Sequence, residues 1–265
     1  MGKGKRSVEL FAKTSRYNDA MFKMLNVPVL GPLAKLVMDA RGTNFTYLPV
    51  YENVELSGSN ALPVSIVEHF INEASHHFIL DYCLCRKGNG CKEYDIGIGC
   101  IFVGEGAREI SQEVGRRASS EEALEHHRRA VDTGLIPVVG KVKIDAIGLG
   151  VKNHSRLMTI CHCCPCCCIT AGVHHAPRDV RDILVRLEGV EVKVSADCTG
   201  CGACVDACIF EQLTIEDGVA VVGDECKGCG RCAMACPDDA ITITVDNPDY
   251  INQCIERIAA YVDVS

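Results

Sequence analysis

The chain has 265 residues, enough for one large or two modest domains, and its net charge of -8 argues against a general nucleic-acid binder. Hydrophobic residues make up 48%, an ordinary globular share, and no apolar run is long enough to span a bilayer. Nineteen cysteines are the anomaly: the basic start Met1–Arg6 has no apolar signal-peptide stretch behind it, so a reducing cytoplasm with metal-bound thiolates is expected rather than disulfides.

Residues 1–55 interleave Lys3, Lys5, Arg6, Lys13, Arg16 and Lys23 with Leu10, Phe11, Met21, Phe22, Met24 and Leu25. They read as an arm packed on the body, or as a docking surface for a partner subunit or an anionic membrane face. Leu33–Met38 reads as a short helix and Thr46–Tyr51 as extended. Pro63–Ser75 has a helical stripe of Val64, Val67, Phe70, Ile71 and Ala74. Phe78–Tyr82 is a predicted strand that leads into Cys83-Leu84-Cys85-Arg86, with Lys87–Gly90 as a loop; Cys83, Cys85, Cys91 and Cys100 are all expected on loops. Ser119–Thr133 is the clearest helix, with Ser119 and Glu122 as a capping box and Gly134 behind it. Its His126 and His127 sit beside Arg128 and Arg129 and read as a solvated basic face, with metal ligation as the minority reading. Strands are expected at Leu135–Val139, Val142–Ile147 and Leu157–Ile160, and a helix at Pro177–Leu187. Val190–Val194 is a strand, and two cysteine loops, each followed by a strand pair, make an internal repeat. Ile251–Val262 closes as a helix, its Cys254 a buried or free thiol.

The stretch Cys161–Cys168 packs six thiols into eight residues. Too few Cys–Cys geometries are open to neighbours this close for the run to be a disulfide framework. Thiolates repel one another, so gathering them requires a cation, and soft thiolates select zinc, Cu(I) or iron–sulfur clusters. The rest of the chain chooses among these. Cys198, Cys201, Cys204, Cys208 and Cys226, Cys229, Cys232, Cys236 are two runs of the Cys-x2-Cys-x2-Cys-x3-Cys type, followed in the second case by Pro237. This segment, Val190–Val245, resembles the bacterial two-cluster ferredoxins. The resemblance implies one [4Fe-4S] cluster on Cys198, Cys201, Cys204 and Cys236, and another on Cys226, Cys229, Cys232 and Cys208. Ile209 stands where that family has a proline.

Ten candidate ligands remain: Cys83, Cys85, Cys91, Cys100, Cys161, Cys163, Cys164, Cys166, Cys167 and Cys168. Two cubanes would use eight and leave two over. Each cluster is expected to mix thiols from Cys83–Cys100 with thiols from Cys161–Cys168, with the pairing open and a non-cubane cluster as an alternative. His162 is a candidate to replace a thiolate or to support one from behind. Arg86, Lys87 and Lys92 are candidates to offset cluster charge. Cys-x-Cys-Arg, the Ser119 helix and the six-thiol run together resemble a group of anaerobe 4Fe-4S dicluster proteins with a cysteine-rich N-terminal domain.

The expected fold is α+β: an arm at 1–55, an irregular cysteine-rich iron–sulfur domain at 56–188, a two-cluster ferredoxin-like domain at 189–246 and a C-terminal helix at 247–265. Four [4Fe-4S] clusters are expected. Gly148-x-Gly150 and Gly104-x-Gly106 lack the rest of a dinucleotide fingerprint, so no flavin or NAD site is expected. The chain reads as a cytoplasmic electron-transfer subunit of an anaerobic oxidoreductase complex rather than a stand-alone enzyme. It is expected to be oligomeric and to work with redox protein partners, without nucleic acid or a transmembrane segment; peripheral membrane association stays open. The alternatives are an enzyme that reduces a small thiol, disulfide or sulfur species at an open N-terminal cluster, and a redox or metal sensor.

Overall fold

A computed structural model describes residues 2–28, 31, 43–49, 54–56 and 63–265. It mixes helix and sheet, as an α+β chain should. The N-terminal part is not irregular: β-branched and aromatic residues there build a seven-stranded sheet. Its strands are β1 (Asn44–Tyr47), β3 (His77–Leu80), β4 (Ile101–Val103), β5 (Gly115–Ala118), β6 (Ile136–Lys141), β7 (Met158–Cys163) and β8 (Leu184–Val185). Their order is β5-β3-β4-β7-β6-β1-β8. All neighbours are antiparallel except β1 and β8, which run parallel. A smaller sheet sets β12 (Ile241–Val245) between β2 (Val54–Leu56) and β9 (Val190–Val194), and β10 (Leu213–Glu216) pairs with β11 (Val219–Val222) as a hairpin.

Successive strand residues face opposite sides of a sheet. On one side Ile79, Ile101, Val103, Val139, Met158 and Ile160 form a single apolar cluster with Val67, Ile71 and Ala123. Helices Val64–Glu73, Ser120–Asp132 and Tyr250–Ala259 pack together over that side. On the other side Phe78, Leu80 and Phe102 meet Cys100 and Cys161, while Tyr47, Ile136 and Val138 meet Cys163 and Cys168. One face is therefore a conventional core and the other is lined with thiols.

Ser119 caps its helix as expected: its Oγ accepts from Glu122 N–H at 3.2 Å, and Glu122 Oε2 accepts from Ser119 N–H at 2.8 Å. Five other expectations need correction. Val142–Ile147 is not a strand; Lys143–Leu149 is a helix that buries Ala146 and Leu149 and ends on left-handed Gly150. Pro177–Leu187 is helical only over Arg178–Arg181, because Leu184–Val185 joins β1 as an edge strand. Cys85 is not on a loop but in a helix, Leu84–Asn89, which includes most of the expected Lys87–Gly90 loop and ends on left-handed Gly90. His126 and His127 are buried, not solvated; Arg128 and Arg129 alone face water. Pro63 precedes its helix rather than opening the first turn. The expected Leu33–Met38 helix lies outside the described residues, as does the end of Thr46–Tyr51.

The N-terminal segment packs on the body. Helix Lys5–Lys13 buries Val8 and Ala12 against Leu84–Asn89 and Lys143–Leu149. Arg16 Nε donates to Gly88 O at 2.5 Å, and Lys87 pairs with Glu9 at 2.7 Å. At the other end, Arg257 on helix Tyr250–Ala259 holds the Glu188 carboxylate through Nε and Nη2 and donates from Nη1 to Asn44 Oδ1 (2.6 Å) and Thr46 Oγ1 (3.0 Å). Arg257→Ala leaves a largely buried carboxylate unpaired. It is expected to lower stability by about 2 kcal/mol, read as an earlier denaturant midpoint with an unchanged slope. Among the described residues no helix is long and apolar enough to cross a membrane.

Candidate iron–sulfur centres

The two C-terminal cysteine runs adopt one backbone path twice. Gly200 and Gly228 have φ 68° and 64°, Gly202 and Gly230 have φ 83° and 85°, and even the non-glycine residues Glu211 and Asp239 match at 53° and 50°. The left-handed glycines turn the chain tightly around a common centre. Each run then makes a five-residue helix, Ala203–Ala207 and Arg231–Ala235. Backbone N–H groups aim at sulfur in both: Gln212 to Cys208 and Ala240 to Cys236, each at 3.3 Å, with Ala220 to Cys198 and Gly228 to Cys226 at 3.4 Å. Such donors favour anionic sulfur.

The buried thiols of the two runs have different thiol neighbours. Burial pushes the Cys232 thiol up to about 12, and the nearby Cys229, Cys226 and Cys208 push it the same way. Burial also raises Cys204, whose neighbours are Cys198 and Cys201. Cys236 follows the second helix, bonded as above. Cys254 is fully buried on the inner face of the C-terminal helix, its Sγ 3.5 Å from Arg257 Nη2.

The N-terminal ten divide into two sets. Cys91, Cys164, Cys166 and Cys167 bring their sulfurs within 4.8 Å of one another. Cys166 of this tetrad is exposed and Cys164 is buried. The other six, Cys83, Cys85, Cys100, Cys161, Cys163 and Cys168, line one cavity on the thiol face of the sheet, and Cys164 of the tetrad reaches its wall. Cys100 Sγ lies 3.1 Å from Cys161 Sγ, and Cys83 has Cys85 and Cys100 as its nearest thiol partners. Cys163 Sγ and Cys168 Sγ lie 2.9 Å apart. Strand β7 explains the split. Its alternation puts Cys161 and Cys163 on the same face, and the turn at Pro165 carries Cys164, Cys166 and Cys167 to the other set. All nineteen thiols are free. Convergent soft donors with N–H groups aimed at their sulfurs fit iron–sulfur clusters.

His162 is not brought to the thiols. On β7 its ring faces the helix side, where Nε2 lies 2.9 Å from His127 Nδ1. Burial pushes His127 down to about 4, so this buried pair shares one hydrogen bond between neutral rings. His126 Nε2 bonds Gly99 O at 2.9 Å.

Two buried arginines stand between thiol groups. Arg86 donates from Nη1 to His162 O at 2.8 Å and from Nη2 to Ile98 O. Its charged neighbours are Cys83 and Cys100 of the six-thiol set and Cys164 of the tetrad. Arg231 donates from Nη2 to Cys163 O at 2.8 Å, and its neighbours are Cys229, Cys163 and Cys168. In contrast, Lys87 sits over the Tyr82 ring at 3.6 Å and pairs with Glu9, and Lys92 is exposed.

Sequence reasoning missed Arg231. The repeat held the signal: Arg231 occupies the place of Ala203 in the first run. It also missed Asp145, which lines the six-thiol cavity, accepts from Thr159 Oγ1 at 3.0 Å and is pushed up by burial to about 6. Tyr47 and Thr170, hydrogen-bonded to each other beside Cys168, were missed as well.

No curated protein and no solved structure matches the chain. Residues 219–242, which hold Cys226, Cys229, Cys232 and Cys236, match the family described as a 4Fe-4S binding domain. With the grouped thiols, that match points to an iron–sulfur electron-transfer protein.

Proposed function

We propose that this chain conducts electrons between redox proteins through four [4Fe-4S] clusters, as a subunit or partner of a cytoplasmic oxidoreductase complex of anaerobic metabolism. Cys198, Cys201, Cys204 and Cys236 would hold the first cluster, and Cys226, Cys229, Cys232 and Cys208 the second. Cys91, Cys164, Cys166 and Cys167 would hold the third, and thiols of the six-membered set the fourth. Bound clusters supply one-electron acceptance and release.

One observation carries the reading: the thiol groups are contiguous. Cys208 and Cys229 share an apolar cluster with Cys163 and Cys168. Apolar packing keeps water from the interior groups, the arginines set charge between them, and exposed Cys201 and Cys166 mark opposite groups where electrons would enter and leave. The exposed lysines of the N-terminal segment would dock an acidic partner or a second subunit.

The test is iron and acid-labile sulfide per chain in protein purified without oxygen. About sixteen of each are expected for four cubanes. About eight would reduce the protein to a ferredoxin joined to a cluster-free domain. A cavity lined by the six-membered set together with Cys164, where a cubane takes four thiolates, also favours a second reading, in which that site reduces a small disulfide or sulfur species.

A further inference from the structure

The six-thiol cavity separates into a linked four and a pair. Cys83 has Cys85 and Cys100 as its nearest thiol partners, and Cys100 Sγ lies 3.1 Å from Cys161 Sγ, so these four are neighbours in series. Cys163 and Cys168 contact each other at 2.9 Å. Cys100 packs with Leu80 and Phe102, and Cys163 and Cys168 pack with Tyr47, Ile136 and Phe210, with Cys161 packed against both groups.

The pair has a polar environment of its own. Thr170 Oγ1 lies 3.0 Å from Cys168 Sγ and is hydrogen-bonded to Tyr47 Oη. Both hydroxyl residues are buried, at 4% and 0% exposure, so the contact joins the sulfur to two hydroxyls able to pass a proton. Cys163 O accepts from Arg231, whose own neighbours include Cys229 of the second ferredoxin run. The pair thus lies between a ferredoxin centre and the linked four.

We propose that Cys163 and Cys168 are a redox-active dithiol beside the fourth cluster rather than two of its ligands, with Cys83, Cys85, Cys100 and Cys161 as the ligands. This rests on the four-cluster reading. In the oxidised state a bond of about 2.04 Å joins the two sulfurs. Reduction breaks that bond: two electrons and two protons convert the disulfide to two thiols. The electrons arrive singly from a low-potential one-electron redox protein by way of the clusters, and the protons come from water by way of Tyr47 and Thr170. Oxidation by a small organic disulfide runs the other way. A Cys163 or Cys168 thiolate displaces one thiol from it, and the second cysteine displaces the other and closes the internal bond. The site would thereby convert single-electron delivery into a two-electron product.

The experiment uses the anaerobic holoprotein and 2-hydroxyethyl disulfide as the oxidant. Iron is counted, the protein is alkylated on denaturation, and the peptide carrying Cys161–Cys168 is fragmented in a mass spectrometer. The expected result is a reversible Cys163–Cys168 disulfide, reopened by dithionite, at unchanged iron content. Cys163→Ser and Cys168→Ser each abolish it and keep the parent's iron, while Cys100→Ser loses about four irons. Loss of about four irons from Cys163→Ser or Cys168→Ser overturns the inference and leaves the four-cluster reading standing, with a cluster on more than four thiolates. Retained iron with no disulfide also overturns it. A parent protein with about eight irons overturns the four-cluster reading, and the inference falls with it.

Discussion

Replacing Arg231 with glutamine is expected to lower the midpoint potentials of the centres on both sides of it while leaving their iron in place. Arg231 is 6% exposed and hydrogen-bonded to Cys163 O. Burial works against its charge, but Cys229, Tyr47, Cys163 and Cys168 outweigh it, and its pKa is raised. Each electron that enters a cluster adds negative charge, which a fixed cation stabilises. One elementary charge at about 7 Å in an effective dielectric near 20 is worth about 2 kcal/mol, on the order of 100 mV for one electron. Glutamine also forfeits a charge-assisted bond worth about 1.5–3 kcal/mol of stability. The check is a redox titration followed by electron paramagnetic resonance. Unchanged potentials in iron-replete Arg231→Gln protein would reduce the residue to packing. Arg86→Gln should act likewise on the six-thiol set and the tetrad.

Removing the clusters is expected to unfold the chain selectively. The two C-terminal runs have five-residue helices, far too short to persist alone. Their hairpin exposes Ile215, Val219 and Val221. Metal-binding energy is folding energy in such segments. Strands β3 and β4 and helix Val64–Glu73 bury Ile66, Val67, Ile71, Ile101 and Val103 completely, on the sheet face away from Cys100 and Cys161. Hydrogen exchange on iron-stripped protein should therefore show lost protection over Cys198–Cys236 and Cys161–Cys168, with protection kept in β3, β4 and that helix. Uniform loss, or protection kept over Cys198–Cys236, would refute this division.

The chemistry was more legible in the sequence than the architecture. Cysteine spacing is local, so the repeated runs could be read directly, and so could the Ser119–Glu122 cap. What depended on distant partners was hidden. Val142 and Ile144 suggested a strand, yet Gly148 lies against the Phe11 ring from the N-terminal helix, with no room for a side chain, and the segment coils to bring it there. Leu184 and Val185 extend only because β1 offers an edge. Arg128 and Arg129 suggested a wet helix face, while helical spacing places Ala123, His126, His127 and Ala130 on the buried one. The division of the ten N-terminal thiols needed the face alternation of β7 and the turn at Pro165, neither of which a cysteine count contains.

Strand β2 pairs with β12, and β1 lies between β6 and β8, so early segments find their partners only late in the chain. During translation the smaller sheet cannot close until β12 has left the ribosome. Cys83, Cys85, Cys91 and Cys100 emerge well before the Cys161–Cys168 run that they meet. The nascent chain therefore carries unpaired thiols for much of its synthesis, and the yield of intact protein should depend on how well the cell shields those thiols from oxygen during that time.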